Sequence, residues 1–174
     1  MDQLRLVKPQ IEFKAAYLDF YQEWKQSGED MVPWVIGKDP GDFQDMLDFL
    51  SNNEKGIGIP EGWVPDSTFW LVNDLSRVLG AVNIRHRLSD FLLHAGGHIG
   101  YGIRPSERNK GYASVLLKLA LLEAKQLGIS DTLVVCDADN IGSEKTIIAN
   151  GGKPDSVYIE ENGNVIKRYW IRNN

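Results

Sequence analysis

The 174-residue sequence has a single cysteine, three histidines and no long apolar run. A lone cysteine, Cys136, cannot form a disulfide within the chain, which is typical of proteins from a reducing compartment. No segment approaches the roughly 20 apolar residues that span a membrane, and residues 1–10 lack the apolar centre of a secretory signal. These absences predict a cytoplasmic protein with no membrane segment.

Positive charge is also scarce, with 19 Lys and Arg against 24 Asp and Glu and a net charge of −5. Because nucleic-acid binding usually needs a basic face, we expect no nucleic-acid partner. The three histidines lack metal-ligand spacing and have no cysteine beside them, so no metal site is predicted. The sequence also lacks an eight-residue pattern ending in Gly-Lys-Ser/Thr, which excludes a nucleoside triphosphatase loop.

The chain does contain alternating strand and helix patterns, in a composition that is 43% hydrophobic. Apolar residues at helical spacing predict helices near 13–26, 43–50, 111–127 and 142–150. Strands are predicted near 4–8, 68–72, 78–84, 98–103 and 132–135, with a final hairpin of 156–161 and 165–171. This order predicts one α/β (α+β) domain over residues 1–174, with a mixed, mainly antiparallel sheet flanked by helices.

The stretch from Arg108 to Ser114 has the features of an anion-binding turn. A strand ends before Pro105, a charged turn follows, and a long helix begins near Gly111. The first amides of a helix have no acceptor within the helix, and the helix dipole places positive charge there. Gly111 has no Cβ, so a phosphate can approach the backbone closely, and Lys110 adds charge. The alternative is a surface turn with solvated charges, and spacing alone does not decide between the two.

The turn resembles a known family signature. Residues 108–113, Arg-Asn-Lys-Gly-Tyr-Ala, match the R/Q-x-x-G-x-G/A signature of GNAT superfamily N-acetyltransferases. Residues 96–105 further resemble a poorly characterised bacterial branch of predicted acetyltransferases. The resemblance implies a sheet splayed between its fourth and fifth strands and acetyl-CoA as co-substrate. It implies cofactor-binding roles for Ile103, Arg108, Asn109, Lys110, Gly111, Tyr112, Ala113, Ser114, Asn140 and Ser143.

Asn140 and Ser143 belong to a second element, after the fifth strand. Two such residues at a helix start also fit a simple capping pair, which is the alternative interpretation. Their spacing nevertheless matches the family's Asn-x-x-Ser/Ala pattern, in which the Asn contacts the cofactor arm. Many relatives carry, about seven residues later, a Tyr that protonates the departing thiolate, but this chain has Ile147 there.

The identity of the group that protonates the departing thiolate is therefore undecided. Tyr158 or Tyr169 from the hairpin could serve, or water and helix dipoles could assist the thiolate. Tyr101, in the fourth strand, is a further catalytic candidate, and the resemblance implies contacts to the pantetheine arm near residues 101–103.

The sequence also offers candidates for the base that takes the amine proton and for the residues that bind the acceptor amine. A neutral amine must attack, so the protein must take its proton directly or through water. His98 stands where many relatives carry a Glu, and imidazole titrates near neutral pH; the alternative is a hydrogen-bonded strand residue. His86 is the second candidate and a possible substrate contact. Carboxylates and aromatic residues around the loop that enters the second strand would hold a cationic amine. They are Glu61, Trp63, Asp66 and Trp70, with Trp34 as a lid; the alternative places Trp70 in the core and the carboxylates in solvent.

These features predict an N-acetyltransferase that transfers an acetyl group from acetyl-CoA to a primary amine of a small molecule or peptide. A homodimer, common in such folds, is an expected assembly. Two alternatives stay open. One is a non-catalytic acyl-CoA-binding sensor or scaffold, which the missing Tyr favours. The other is an unrelated α/β domain that binds a different phosphorylated ligand.

Overall fold

The computed structural model describes residues 3–174 and confirms the predicted order of strands and helices. The elements are β1 (Arg5–Val7), α1 (Lys14–Ser27), α2 (Phe43–Lys55), β2 (Asp66–Val72), β3 (Val78–Arg85), β4 (Ile99–Ile103), α3 (Tyr112–Gln126), β5 (Asp131–Asp137), α4 (Ile141–Ala149), β6 (Lys153–Pro154), β7 (Tyr158–Ile159) and β8 (Val165–Arg172). A short π-helical turn, Leu92–Gly96, lies between the third and fourth strands, where no helix was predicted. Within the described residues, no helix is both long and apolar enough to cross a membrane.

The strands form two sheets. β1, β2, β3 and β4 pair in that order, while β8 pairs with β5, β6 and β7. Within residues 3–174, β4 and β5 share no strand ladder. They meet at one end only, where the His98 amide donates to the Leu133 carbonyl at 2.7 Å. This arrangement confirms the predicted splay between the fourth and fifth strands, which leaves the rest of β4 free to face a ligand.

The first sheet separates two apolar cores. On one face, α1 and α2 cover Trp70 and Ala81, and the Tyr17 ring stacks on Trp70 with centroids 4.2 Å apart. On the other face, α3 packs against Val82 and Ile103. α1 and α3 fit these faces because their apolar residues recur at helical spacing. β4 is therefore supported from both sides.

Arg104, directly after β4, ties this strand to α1. Its side chain is 2% exposed and forms ion pairs with Asp19 at 2.7 Å and Glu23 at 2.6 Å. It also donates to the Val78 carbonyl at 3.0 Å. A buried guanidinium needs such partners, since burying it unpaired would be costly. The point where the chain leaves β4 for the charged turn is thus fixed in place.

The loop between α1 and α2 lies directly against β4. A Cβ placed on Gly102 would come within 2.1 Å of the Val32 carbonyl oxygen, which only a glycine avoids. Gly100, two residues earlier in the strand, faces the same side. A Cβ placed on Gly100 would lie within 3.5 Å of the Arg85 guanidinium and of Pro33. Backbone and loop therefore approach closely on the α1 side of β4.

Candidate active site

The turn from Arg108 to Ser114 has the conformation that an anion site requires. Asn109 and Gly111 have positive φ angles of 61° and 83°, and Gly111 caps the start of α3. Within residues 3–174, no amide of residues 109–114 donates to a backbone carbonyl. A Cβ at Gly111 would contact nothing within 4 Å, so that position faces open space. Unpaired amides at a helix start, with room in front of them, fit the diphosphate of coenzyme A.

A cavity of about 320 Å³ lies in front of this turn, between β4, α3 and α4. Every residue predicted to bind the cofactor lines it except Lys110, whose Nζ instead bonds Glu107 at 2.8 Å. The two segments that resemble the family's cofactor elements are therefore brought to one cavity. Their individual contacts with the cofactor stay predictions.

Arg108 is already engaged by the protein. Its guanidinium pairs with Glu29 at 2.7 Å, lies 5.0 Å from the Trp24 ring centroid, and donates to the Ile103 carbonyl at 3.2 Å. Arg108 thus fixes the turn to α1 and to the end of β4. Its charge is partly balanced by Glu29.

Asn140 and Ser143 form the capping pair and also line the cavity. The Asn140 side-chain oxygen accepts the Ser143 amide at 3.1 Å. The Ser143 hydroxyl lies 2.9 Å from the Tyr101 hydroxyl. Burial raises the pKa of Tyr101 to about 12, although the bond to Ser143 opposes the shift. The phenol is therefore protonated at neutral pH and can donate a hydrogen bond into the cavity.

The other tyrosine candidates lie elsewhere. Tyr169 donates to Glu144 at 2.6 Å, and the Tyr158 ring lies 5.2 Å from that of His94; neither lines the cofactor cavity. Ile147, at the position of the family's usual Tyr, is fully buried in the core. The geometry therefore favours Tyr101 over both hairpin tyrosines.

His98 joins the two sheets. Its Nδ1 accepts the Leu133 amide at 2.9 Å, so in the neutral ring the proton lies on Nε2. Burial, and the nearby positive charge of Arg85, lower the pKa of His98 to about 4. No lone pair remains for a base, so this geometry favours the alternative of a hydrogen-bonded strand residue. A structural role for His98 therefore competes with its predicted role as the base, and a mutation can distinguish the two.

A second cavity, of about 470 Å³, lies on the α1 side of the sheet. Glu61, Asp66 and Arg85 supply its charged groups. Trp34 and Trp63 meet edge to face at 5.0 Å on its wall. The structure thus brings the predicted Glu61 together with the aromatic residues and carboxylates of the acceptor-site hypothesis.

One predicted substrate contact needs correction, and a second lies outside the cavity. Trp70 has no exposed surface and is a core residue, because Tyr17 stacks on it beneath α1 and α2. His86 does not line the second cavity; its Nε2 lies 2.8 Å from the Ser67 hydroxyl, and burial lowers its pKa. Trp70 was predicted at the acceptor site because it is close in sequence to Asp66, and His86 because it follows the end of β3.

Arg85 is the residue of this cavity that sequence reasoning missed. It pairs across the β2–β3 ladder with Asp66, and its NH1 donates to the Gly96 carbonyl at 3.2 Å. Counting back from the turn at residues 73–77 would have placed Ile84 opposite Asp66, because a bulge between Leu71 and Val72 shifts the register by one residue. Phe91 and Leu92 also line the cavity and come from the segment between the third and fourth strands, where no helix was predicted.

Comparison with known proteins identifies the class. The sequence profile of the acetyltransferase (GNAT) domain matches residues 3–153, so the chain belongs to the GNAT acetyltransferase family. No curated protein sequence matches the chain.

Solved structures with the same fold share little sequence with it. The microcin C7 self-immunity acetyltransferase MccE, in complex with acetyl-CoA and AMP, has a TM-score of 0.70 at 15% identity, over 99% of this chain and 93% of its own. The ribosomal-protein-S5-alanine acetyltransferase from Vibrio fischeri has a TM-score of 0.69 at 15% identity, over 99% and 93%. RimL, a ribosomal L7/L12 alpha-N-protein acetyltransferase in complex with coenzyme A, has a TM-score of 0.70 at 14% identity, over 97% and 93%. At these identities the likeness establishes the fold.

Proposed function

We propose that this acetyltransferase moves an acetyl group from acetyl-CoA to a primary amine by direct attack. The observation that carries the proposal is the presence of two cavities near β4, one lined by β4 itself and the other lined by Arg85, which lies against Gly100 of β4. One holds the turn with unpaired amides, and the other holds carboxylates and aromatic rings. A donor and an acceptor can thus both come close to the same strand.

On the donor side, the amides of residues 109–114 would hold the diphosphate, as helix N-termini hold anions. The free part of β4, at residues 101–103, would bind the pantetheine arm. Acetyl-CoA bound there supplies an activated thioester carbonyl. Coenzyme A or acetyl-CoA is present in two of the solved relatives, which supports this choice of donor.

We assign the proton donor to Tyr101. Its hydroxyl lies in the donor cavity, is held by Ser143 at 2.9 Å, and stays protonated because its pKa is about 12. A hydrogen bond from this hydroxyl would stabilise the departing thiolate. Tyr101 would thereby do, from β4, what the family's usual Tyr does from the position of Ile147.

The amine must lose a proton before or during attack. Asp66 lines the acceptor cavity, and burial raises its pKa towards that of a useful base. β2 lies two strands from β4, about 10 Å across the sheet, so Asp66 would take the proton through water. His98 would be the base only if its Nδ1 released the Leu133 amide, which it accepts at 2.9 Å.

The alternative of a non-catalytic acyl-CoA-binding module rests on Ile147, which replaces the usual Tyr with a core residue. One experiment decides between the two functions. Acetyl-CoA should raise the melting temperature, and a mass-spectrometric screen of pooled amines should yield an acetylated product. Binding without any product would favour the binding module, and no thermal shift at millimolar acetyl-CoA would reject both.

The amine acceptors of the ribosomal-protein relatives support a small-molecule or peptide amine in general, without naming it. The single domain over residues 1–174, the homodimer, the cytoplasmic location and the exclusion of nucleic acid remain predictions.

A further inference from the structure

The acceptor cavity contains a cation that the proposed reaction does not require. Arg85 is the only basic side chain lining it in the described residues 3–174. Its guanidinium is partly buried and donates to the Gly96 carbonyl at 3.2 Å. No carboxylate oxygen in those residues lies within salt-bridge distance of it. Burying a guanidinium beside a cavity, without a direct ion pair, costs free energy unless a ligand supplies the anion.

The position of Arg85 places that anion next to the transfer site. A Cβ on Gly100 would lie 3.4 Å from both terminal nitrogens of the Arg85 guanidinium. Gly100 directly precedes Tyr101 and Gly102, which line the donor cavity. A group bound by Arg85 therefore lies beside the part of β4 from which the acetyl group would be transferred.

The remaining charges have the opposite sign. Asp66 is buried at the floor of the cavity, with Oδ1 accepting from the Asn83 amide nitrogen at 2.7 Å, and Glu61 lies at the exposed rim. A cavity lined by both carboxylates and a guanidinium complements a ligand that carries both an ammonium and a carboxylate. A simple amine would leave Arg85 with Asp66 as a nearby opposite charge but with no direct ion pair.

The wall of the cavity is aromatic. Trp63 is 50% exposed and Phe91 is 68% exposed, and Trp34 contacts Trp63 at the mouth. Large apolar side chains left open at a concave site favour an apolar ligand. The cavity thus offers an anion site beside β4, a cation site on β2 and an apolar wall.

We propose that the acceptor is a free α-amino acid with an apolar or aromatic side chain, whose carboxylate binds Arg85. This inference rests on the proposed acetyl transfer. One carbon separates the amine of such a molecule from its carboxylate, so a carboxylate held by Arg85 keeps the amine beside Gly100. The ammonium first gives one proton through water to Asp66, and the neutral amine attacks the thioester carbonyl, so that an N–C bond forms and the C–S bond breaks. The products are the N-acetyl amino acid and coenzyme A; the departing thiolate takes the proton of the Tyr101 hydroxyl, which the second proton of the nitrogen replaces.

Three matched acceptors test the carboxylate requirement: L-phenylalanine, L-phenylalaninamide and phenethylamine. We expect kcat/KM for phenylalanine to exceed the other two by about 10- to 100-fold, as a charge-assisted bidentate pair implies. Leucine, leucinamide and isoamylamine repeat the comparison with an aliphatic side chain. Equal rates with the carboxylate-free amines would overturn the inference and leave the proposed function standing.

Arg85→Gln makes the test specific to the residue. It should remove most of the advantage of phenylalanine over phenethylamine, with a much larger loss for phenylalanine than for phenethylamine and little change in acetyl-CoA affinity. Arg87→Gln, an exposed arginine two residues along the chain, is the control and should change none of the rates. An equal loss with all three acceptors in Arg85→Gln would show a structural role and overturn the inference.

Two further outcomes separate the inference from the proposed function. If neither amino acid is acetylated while acetyl-CoA still raises the melting temperature, the acceptor assignment is wrong and the donor assignment stands. If acetyl-CoA gives no shift, the proposed function fails, and the inference that rests on it fails with it.

Discussion

The hydroxyls of Tyr101 and Ser143 lie 2.9 Å apart and connect β4 to the first turn of α4 across the donor cavity. The bond holds the phenol of Tyr101 at the place where the two cofactor elements meet. Ser143 is itself fixed, because its amide donates to the Asn140 side chain at 3.1 Å. A capping pair and a catalytic candidate are thus parts of one hydrogen-bonded chain, which is why the capping and cofactor interpretations of Asn140 and Ser143 are compatible.

Tyr101→Phe removes the hydroxyl and keeps the ring. We expect kcat to fall about 100-fold, at the lower end for loss of a general acid, with acetyl-CoA affinity nearly unchanged. Because the phenol acts while protonated and its pKa is about 12, wild-type kcat should show no alkaline decline from this group below about pH 11. Steady-state kinetics against pH measure both effects.

Tyr169→Phe is the control for Tyr101→Phe, since it removes the bond to Glu144 outside the donor cavity. It should cost about 1 kcal/mol of stability, the usual value of a hydrogen bond, and leave kcat unchanged. A loss of kcat in Tyr169→Phe and not in Tyr101→Phe would return the acid role to the hairpin.

Gly111→Val tests the anion-binding turn. Its φ of 83° strains a β-branched residue, and its side chain would project into the space in front of the amides. We expect acetyl-CoA affinity, measured by calorimetry, to fall at least 10-fold. Gly128→Val is the matched control, because Gly128 has a φ of 84° and equally open surroundings at the other end of α3. An equal loss of affinity in both variants would mean that strain, and not blocked approach, is responsible.

The donor side could be predicted from the sequence because its determinants are local. The turn before α3 and the Asn140 cap each lie within a few residues, and each has a recognisable spacing. The splay of β4 from β5 followed from family resemblance alone.

The acceptor side depends on contacts between distant segments. Asp66 and Arg85 meet through strand register, and Gly100 meets Arg85 through the packing of β3 on β4. Trp70 was misassigned because the sequence shows only that Trp70 is near a loop. It does not show on which face of β2 the side chain lies. His98 was predicted as the first residue of the fourth strand and lies directly before β4, but its bond to Leu133 joins residues 35 positions apart.

His98 should make stability depend on pH. Its pKa is about 4 in the fold against 6.5 for an ordinary histidine, so the unfolded chain binds the extra proton between those values. Stability from this group is fully present above pH 6.5 and is lost as the pH falls towards 4. His98→Gln should flatten that part of the pH dependence in denaturant unfolding. If His98 is structural, the acetyl transfer rate of His98→Gln per folded molecule should stay near that of the wild type. A large fall in kcat, with a change on the acid side of the pH–rate profile, would restore His98 as the base.

Arg104→Met should strongly destabilise the protein, although Arg104 lines neither cavity. The buried guanidinium pairs with Asp19 and Glu23, and its removal leaves Glu23, with a side chain only 24% exposed, without its main partner. We expect a loss of about 3 kcal/mol, the lower end for breaking a buried ion pair, since Asp19 can turn to solvent. Arg172→Met, which breaks an exposed pair with Asp131 at 3.5 Å, should cost less than about 0.5 kcal/mol. Urea unfolding measures both, and equal losses would show that Arg104 does not anchor β4 to α1. A selective loss would mean that β4, which lines the donor cavity, is held by α1, a helix that lines neither cavity.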